Sequence, residues 1–556
     1  MLRLSSFAGA LALFAAFAGS AVGAAPAIPV TVAVDVGRPG KPVNPVWRFF
    51  GADEPNYATM KDGRTTLATL GKLAPDRVYF RTHNLLTTGD GTAALKWGST
   101  NAYTEDAEGR PRYDWTIVDR IFDTYRARGV RPYVEVGFMP EALSSKPVPY
   151  QHDWRPGSGS LRTGWAYPPT DYAKWDGLVF AWVTHCVERY GRQEVASWYF
   201  ETWNEPNLPQ YYWGGTQAEF FKLHDTTVRA VRRALPEARV GGPDIAGAGD
   251  QYLTQFMAHA AKAGTPTDFL SFHAKGNPTV VGTGAASHVR MGLSAQLKAA
   301  DHEYAQIAAN PAFRSKPIII GEADPEGCAA CQGPANAYRN GTMYSSYTVA
   351  SFVRLQALAE RRGLNLEGIL TWAFEFEDQA PFAGFRQLTS GGIDLPVINV
   401  FKLFAKLRGQ ELPAVSDHQQ PLDAVMADGV RGAADIGSIA AIDGDRVAVL
   451  VWHYHDDDVA GPDAAVRVAL ARLPRVLRAG AKVTQYRVDP GHSNSYAAWL
   501  GMGSPLAPTT VQRAALLEAA ALAESAVPMA VVGARGVVDV VVPRSGVTLV
   551  VVEPQG

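Results

Sequence analysis

At 556 residues the chain is too long for one ordinary hydrophobic core, so two or more domains are expected. Hydrophobic residues at 47% and charged residues at 19% describe a soluble globular protein, and a formal charge of −2 gives no general attraction to nucleic acid or to an anionic membrane. Aromatic residues reach 10%, with 13 Trp, which suits a protein that stacks sugar rings and equally one with a large core.

Residues 1–24 have the form of a secretory signal. Arg3 supplies the positive start, residues 8–18 the apolar run, and Ala21-Val22-Gly23-Ala24 a small-residue cleavage site. The apolar run is short for a membrane span, and no later stretch is long enough to cross a bilayer. A soluble exported protein, periplasmic or secreted, is expected. Residues 25–44 carry a strand over 29–36, expected to join a β-sandwich formed further along the chain.

From 45 to 410, short apolar runs alternate with amphipathic stretches. Strands are expected over 47–52, 77–82, 132–137, 197–203, 239–242, 268–273, 317–322 and 368–374, with helical patterns such as 115–128 and 216–235 between them. Strand–helix alternation of this kind implies a parallel sheet, and eight repeats imply a closed (β/α)8 TIM barrel. A doubly wound open sheet would call for a glycine-rich phosphate loop after the first strand, and Gly51-Ala52-Asp53-Glu54-Pro55-Asn56 is not one. From 411 to 556 the texture changes to β-rich runs at 446–454, 481–488 and 536–551, split by Gly, Asp and Pro, which reads as an all-β sandwich domain. The Ala-rich stretch 514–526 reads as a helical insertion.

The chain has three cysteines. Cys186 sits in an amphipathic helical run and reads as a buried thiol. Cys328 and Cys331 have the spacing of a redox pair or half a zinc site, but one such pair does not complete a zinc site. In an exported protein a local disulfide, stiffening the loop after Glu322, is expected.

In a barrel the C-terminal strand ends face the active site. Read in order they offer Glu54 with Asn56, His83, Phe138, Asn204 with Glu205, Asp244, His273 with Lys275, Glu322 and Trp372. Each has an ordinary reading: an acid after a strand caps the next helix, and a histidine bonds a buried carbonyl. Together they place carboxylates, imidazoles and a Trp round one mouth. Glu205 and Glu322, on separate strand ends, are the minimum equipment for hydrolysing a sugar acetal. No His-x-His, His-Glu-x-x-His or calcium-type aspartate loop is found, and Asp456-Asp457-Asp458 reads as a solvated turn, so no metal or other cofactor is expected.

The segment Trp198-Tyr199-Phe200-Glu201-Thr202-Trp203-Asn204-Glu205-Pro206-Asn207 resembles the acid/base region of glycoside hydrolase family 39, whose members include β-xylosidases and α-L-iduronidases. Further matches are Phe80-Arg81-Thr82-His83, the run from Val134 through Gly137, Phe138 and Pro140 to Leu143, and Gly321-Glu322-Ala323-Asp324-Pro325. His492-Ser493-Asn494-Ser495-Tyr496 with Trp499 and Met502-Gly503-Ser504-Pro505 resembles the family's C-terminal domain. The Asn-Glu-Pro element alone is shared by many barrel glycosidases; the ordered set is more specific.

The resemblance implies a retaining mechanism with Glu205 as acid/base and Glu322 as nucleophile, exo action on an oligosaccharide, and Asn204 bonded to the sugar 2-hydroxyl. It implies that His83 and His273 bind hydroxyls of the −1 sugar, that Trp372 is part of the platform, and that Glu377 lies over pentose hydroxyls. Lys275 and Arg386 resemble the basic contacts that iduronidases use against a uronic carboxylate, whereas Thr371 stands where that branch carries an acidic contact. The plainer reading of Lys275 is a salt bridge to a neighbouring acid such as Glu322. A terminal β-D-xylosyl substrate is therefore the leading expectation. An iduronosyl or arabinosyl substrate follows, and a non-catalytic carbohydrate-binding protein comes last.

Overall fold

The computed structural model describes residues 26–555 apart from 75–77, 94, 96–97, 148–149, 153–160, 210 and 248–249. The signal reading of residues 1–24 and the first residue expected for the second strand, Arg77, lie outside the described residues.

Eight parallel strands close into a barrel in chain order: Phe49–Ala52, Tyr79–Thr82, Arg131–Val136, Tyr199–Thr202, Arg239–Ile245, Phe269–His273, Pro317–Glu322 and Asn365–Thr371. The last returns to the first through Leu370 opposite Phe49 and Thr371 opposite Phe50. The expected TIM barrel is present. Helices such as Thr116–Ala127, Tyr172–Tyr190, Gln217–Ala234 and Thr342–Arg361 cover it. Their starts are written locally. Asp171 accepts the amides of Ala173 and Lys174, and Thr216 forms a capping box with Glu219.

Side chains alternate along each strand, so the interior is layered. One layer is aromatic: Phe49, Tyr79, Tyr133, Tyr199 and Phe269 plug the barrel, with ring centroids 4.9 Å apart for Tyr79–Tyr199 and 5.2 Å for Tyr199–Phe269. Two residues further along the same strands the interior turns ionic, with Arg81, Glu135, Glu201 and Ser271 all buried. Burying charge there is tolerated only because the groups pair with one another.

The strand Ile28–Asp35 lies beside Ala464–Ala471 in parallel and Ala414–Ser416 antiparallel, inside a five-stranded sheet completed by Arg535–Val542 and Ala530–Val532. A six-stranded sheet runs Gln410–Leu412, Asp435–Asp443, Arg446–Tyr454, Val547–Pro554, Ala481–Val488 and Ala523–Ala526. Val30, Val32, Val34, Val449, Val451, Val466, Val468, Val538 and Val550 fill the space between them. Two details differ from the expectation. The run 536–551 is two strands, one in each sheet, separated at Pro543 to Gly546. The Ala-rich helix, Thr510–Ala520, is followed by the edge strand Ala523–Ala526, because Thr484 to Arg487 offer that segment a ladder that outweighs alanine's helical preference.

Arg354 of the barrel helix Thr342–Arg361 forms a buried ion pair with Asp435 of the six-stranded sheet at 2.8 Å. The other Asp435 oxygen, Oδ1, accepts the Gln420 amide at 2.8 Å, and Trp452 Nε1 donates to the Arg354-paired Oδ2 at 2.9 Å. Among the described residues no helix is long and apolar enough to cross a membrane.

His224, on Gln217–Ala234, is buried between the rings of Phe220 and Phe256, and neither of its nitrogens has a hydrogen-bond partner among the described residues. Burial pushes its pKa from 6.5 down to about 4. Between those values the unfolded chain takes up a proton that the folded chain refuses. The stability contributed by neutral His224 is therefore full above pH 6.5 and lost as pH falls toward 4, by up to about 3 kcal/mol. His224→Phe is expected to remove this slope, read as urea midpoints measured from pH 4 to pH 7.

Candidate active site

Glu205 follows the fourth barrel strand and Glu322 ends the seventh. The backbone around Glu205 is unusual: Trp203, Glu205 and Asp244 have φ of 71°, 43° and 50°, left-handed values that L side chains seldom adopt. Such strain persists only when neighbours over-determine it. Here the Glu205 amide donates to the Asp244 carbonyl at 2.9 Å, and Trp203 Nε1 donates to the Tyr212 carbonyl at 2.5 Å. Gly321 is required as well, since a Cβ there would sit 1.9 Å from Asp244 Oδ1.

Arg81 stands at the centre. Its guanidinium, 0% exposed, donates from Nε to Glu201 Oε2 at 2.7 Å and from Nη2 to Asp244 Oδ2 and to Asn204 Oδ1, the latter at 3.2 Å. Glu135 Oε2 lies 3.0 Å from Nη2 and Glu322 Oε1 3.7 Å from Nη1. Four carboxylates from four strand ends thus surround one cation. Glu201 Oε1 also accepts the hydroxyls of Tyr133 at 2.7 Å and Ser271 at 2.5 Å. Burial raises Glu135 well above the carboxylate range and Glu201 to about 7, against the pull of Arg81. For Asp244 burial acts upward too, but Arg81 and then His273 outweigh it, and its pKa is lowered.

His273 bridges the acids. Its Nδ1 is 2.8 Å from Glu205 Oε1, its Nε2 is 2.7 Å from Asp244 Oδ2, and Glu322 Oε1 is 3.8 Å from Nε2. Burial alone disfavours a charged imidazole, yet Asp244 and Glu322 overcome it and hold His273 up at about 10. Lys275 Nζ pairs with Glu322 Oε2. Burial would raise both glutamates. The Lys275 charge, followed by His273, instead lowers Glu322 and takes Glu205 to about 2. These shifts favour ionised carboxylates beside a protonated imidazole.

The remaining expected residues divide into two groups. His83 is buried, with Nδ1 3.1 Å from Asp53 Oδ1 and its ring 4.4 Å from that of Trp372. Trp372 lies over the Arg81 guanidinium at 5.1 Å. Asn204 has its oxygen taken by Arg81, and its Nδ2 has no partner among the described residues, so the amide is oriented as a donor. The other two residues do not face the site as expected. Arg386 is fully buried behind it, donating to the carbonyls of Trp372 and Glu326, paired with the Glu326 carboxylate and 3.3 Å from Asp324 Oδ2. Glu377 accepts the backbone amides of Asp62 at 2.8 Å and Gly63 at 3.3 Å, capping the helix Lys61–Leu73. In this structure both the guanidinium and the carboxylate are engaged by neighbouring protein groups.

The predicted disulfide joins Cys328 and Cys331, and Cys186 is a buried free thiol. The loop it closes wraps Arg339, which donates to the carbonyls of Cys328 and Cys331 at 2.9 Å. Among the described residues no group of three or more His, Cys, Asp or Glu is arranged to hold a metal.

Arg81, Glu135, Glu201 and Ser271 were not singled out from sequence. The available signal was charge at inward-facing positions of strands that are otherwise apolar. Arg81→Met would leave this cluster of acids without its cation, and a loss of about 3–5 kcal/mol is expected in urea denaturation. The loss should be smaller at pH 5 than at pH 8, because the stranded carboxylates can then take up protons.

Comparison with known proteins places the chain. The model of "Glycosyl hydrolases family 39" matches residues 30–536. A β-xylosidase from Geobacillus stearothermophilus is 39% identical over 203 residues, which is 36% of this chain and 38% of that enzyme. An α-L-iduronidase from Mus musculus is 26% identical over 551 residues, covering 90% of this chain and 77% of that one. Among solved structures, a monomeric β-xylosidase from Caulobacter crescentus superposes with a TM-score of 0.74 at 26% identity, covering 95% of this chain and 100% of that one. A match across nearly the whole chain, on a barrel whose fourth strand is followed by one glutamate and whose seventh ends in another, leaves one conclusion: the chain belongs to the glycosyl hydrolases of family 39.

Proposed function

We propose that this glycoside hydrolase is a retaining exo-β-xylosidase that removes terminal non-reducing β-D-xylosyl residues from xylo-oligosaccharides. The observation that carries the reading is that Glu205 and Glu322 face one imidazole, at 2.8 and 3.8 Å, in a recess that leaves them 7% and 3% exposed. Retention requires two carboxyl groups about 5–5.5 Å apart, and a deep pocket rather than an open cleft suits a terminal sugar. Glu322 attacks the anomeric carbon. Its charge is held by Lys275, so it is ready as a nucleophile. Glu205 protonates the leaving oxygen and then takes a proton from the water that releases the sugar. Asn204 Nδ2 donates to the 2-hydroxyl, a bond that tightens as the oxocarbenium-like transition state forms. His83 and Trp372 supply the wall against which the ring rests.

A neutral pentose is favoured because the two cations of the iduronidase branch are already neutralised: Lys275 by Glu322, and Arg386 by Asp324 and Glu326. A uronic substrate is the second reading. Lys275 keeps 18% of its side chain exposed and could turn to a carboxylate. Export through residues 1–24 is part of the same proposal, and a disulfide in the loop after Glu322 fits an oxidising compartment.

The test is a panel of aryl β-xyloside, α-L-arabinoside, β-glucoside and α-L-iduronide. The β-xyloside is expected to be cleaved best, with the anomeric configuration retained in the first-formed product. Preference for the iduronide would transfer Lys275 to substrate binding. Glu322→Gln is expected to abolish turnover, and Glu205→Gln to lower kcat about 10²–10⁴-fold for substrates with poor leaving groups.

A further inference from the structure

Both nitrogens of His273 point at carboxylate oxygens, Nδ1 at Glu205 Oε1 and Nε2 at Asp244 Oδ2, at 2.8 and 2.7 Å. A neutral imidazole has one N–H and one lone pair, so it cannot serve two ionised carboxylates at once. Three proton arrangements satisfy this geometry, and one of them, with the proton on Asp244, is removed by the Arg81 contact with Asp244 Oδ2; two remain. Either the ring is an imidazolium between two anions, or the ring is neutral, donates to Asp244 and accepts from a protonated Glu205. They differ by one proton moved along a single hydrogen bond.

Asp244 cannot be the group that takes the proton. Arg81 Nη2 shares the same Oδ2, which keeps the carboxylate ionised and fixes Nε2–H as a donor. The tautomer is therefore set from one side and the exchangeable proton lies on the other, against Glu205.

We propose that His273, held by Asp244, is the proton reservoir of Glu205: the acid of the first step is loaded from His273 Nδ1 and the proton is returned there after the second. The inference rests on the reading of Glu205 as acid/base. In the first step the proton passes from Nδ1 to a Glu205 oxygen and a Glu205 proton passes to the leaving oxygen. The bond from that oxygen to the anomeric carbon breaks, and the bond to Glu322 forms. His273 is left neutral with its N–H on Asp244, and the Glu205 carboxylate, no longer held by Nδ1–H, turns to the incoming water. In the second step water attacks the anomeric carbon, the bond to Glu322 breaks, and the water proton goes to Glu205 and on to Nδ1. Only water is consumed.

The charge of the surroundings changes in the required sense. His273 faces Glu205 from the fourth strand, Asp244 from the fifth and Glu322 from the seventh, with Arg81 from the second and Lys275 two residues along its own loop. Glycosylation neutralises Glu322 and so removes one of the anions that favour the imidazolium, just when the proton has been handed on. Deglycosylation restores the anion and draws the proton back.

His273→Gln keeps a donor toward Glu205 but cannot exchange a proton, and Asp244→Asn removes the anion that fixes the ring. With the sugar found by the panel, each is assayed on an activated dinitrophenyl glycoside and on an unactivated alkyl glycoside, beside Glu205→Ala. Labelling of Glu322 by an activated 2-deoxy-2-fluoro glycoside, followed by mass, reports an intact site. For His273→Gln the expected loss of kcat/KM is at least about a hundredfold on the alkyl glycoside and under about tenfold on the activated one. For Asp244→Asn the alkaline limb of the pH–kcat/KM profile should move down by one pH unit or more. Equal losses on both leaving groups and an unmoved limb would make His273 a hydroxyl ligand only and overturn the proposal. If Glu205→Ala itself shows no dependence on leaving group, the acid/base assignment has failed. If Glu205→Ala shows it and His273→Gln does not, the reservoir alone has failed.

Discussion

One buried guanidinium holds this site together. Arg81 meets carboxylates from the third, fourth, fifth and seventh barrel strands, and of these groups only Glu322 keeps a few per cent of its surface exposed. A charge in that position is tolerable only when all its partners have arrived, because an unpaired buried ion costs several kcal/mol. Closing the barrel and assembling these carboxylates are therefore coupled. The same contact orients Asn204 and fixes Asp244, which in turn fixes His273. The positions of Glu205 and Glu322 follow from a chain of ionic contacts that starts one layer below them.

The aromatic layer beneath makes this possible. Phe49, Tyr79, Tyr133, Tyr199 and Phe269 fill the barrel with rings at 4.9–6.3 Å and keep water from the ionic layer above. With water excluded, hydrogen-bond direction and proton position matter more than net charge. The disulfide loop works at the rim in a similar way. It cages Arg339, Arg339 and Arg386 both pair with Glu326, and Arg386 also binds the Trp372 carbonyl. The strand ends that carry Glu322 and Trp372 are thereby linked through two arginines, in addition to the Trp372 amide donated directly to Asp324 Oδ1 at 3.1 Å.

The barrel was legible because its strands are short apolar runs set between amphipathic helices, and that periodicity survives in a single sequence. The clustering of Glu205, Glu322, His83, Asn204, His273 and Trp372 was legible because they stand at strand exits, a place defined by the fold alone. The protein partners of Arg386 and Glu377 were not legible, for a reason that sequence hides. Both lie after the eighth strand, where loop geometry decides whether a charged group meets the pocket, the backbone of Asp62 and Gly63, or a second charge from another loop. Arg81 and Glu201 were passed over because a charge inside a strand reads as surface until the partners on neighbouring strands are known. The boundary inside 536–551 was blurred because valine-rich strands of two different sheets follow each other with only Pro543 to Gly546 between them.

The strand Ile28–Asp35 emerges from the ribosome early, yet its parallel neighbour Ala464–Ala471 is made very late; Asp35 and Arg472, which pair across that junction, are 437 residues apart in sequence. Synthesis is vectorial, so the intervening barrel can form first while both edges of this strand are without partners. Bare strand edges are templates for mispairing. The alternation of Thr31 and Ala33 with valine on the buried face gives the waiting segment one polar or small side, and Pro29 blunts its ladder near the start. The sheet around this early strand can therefore close only once residues 464–471 have been made, well after the whole barrel has left the ribosome.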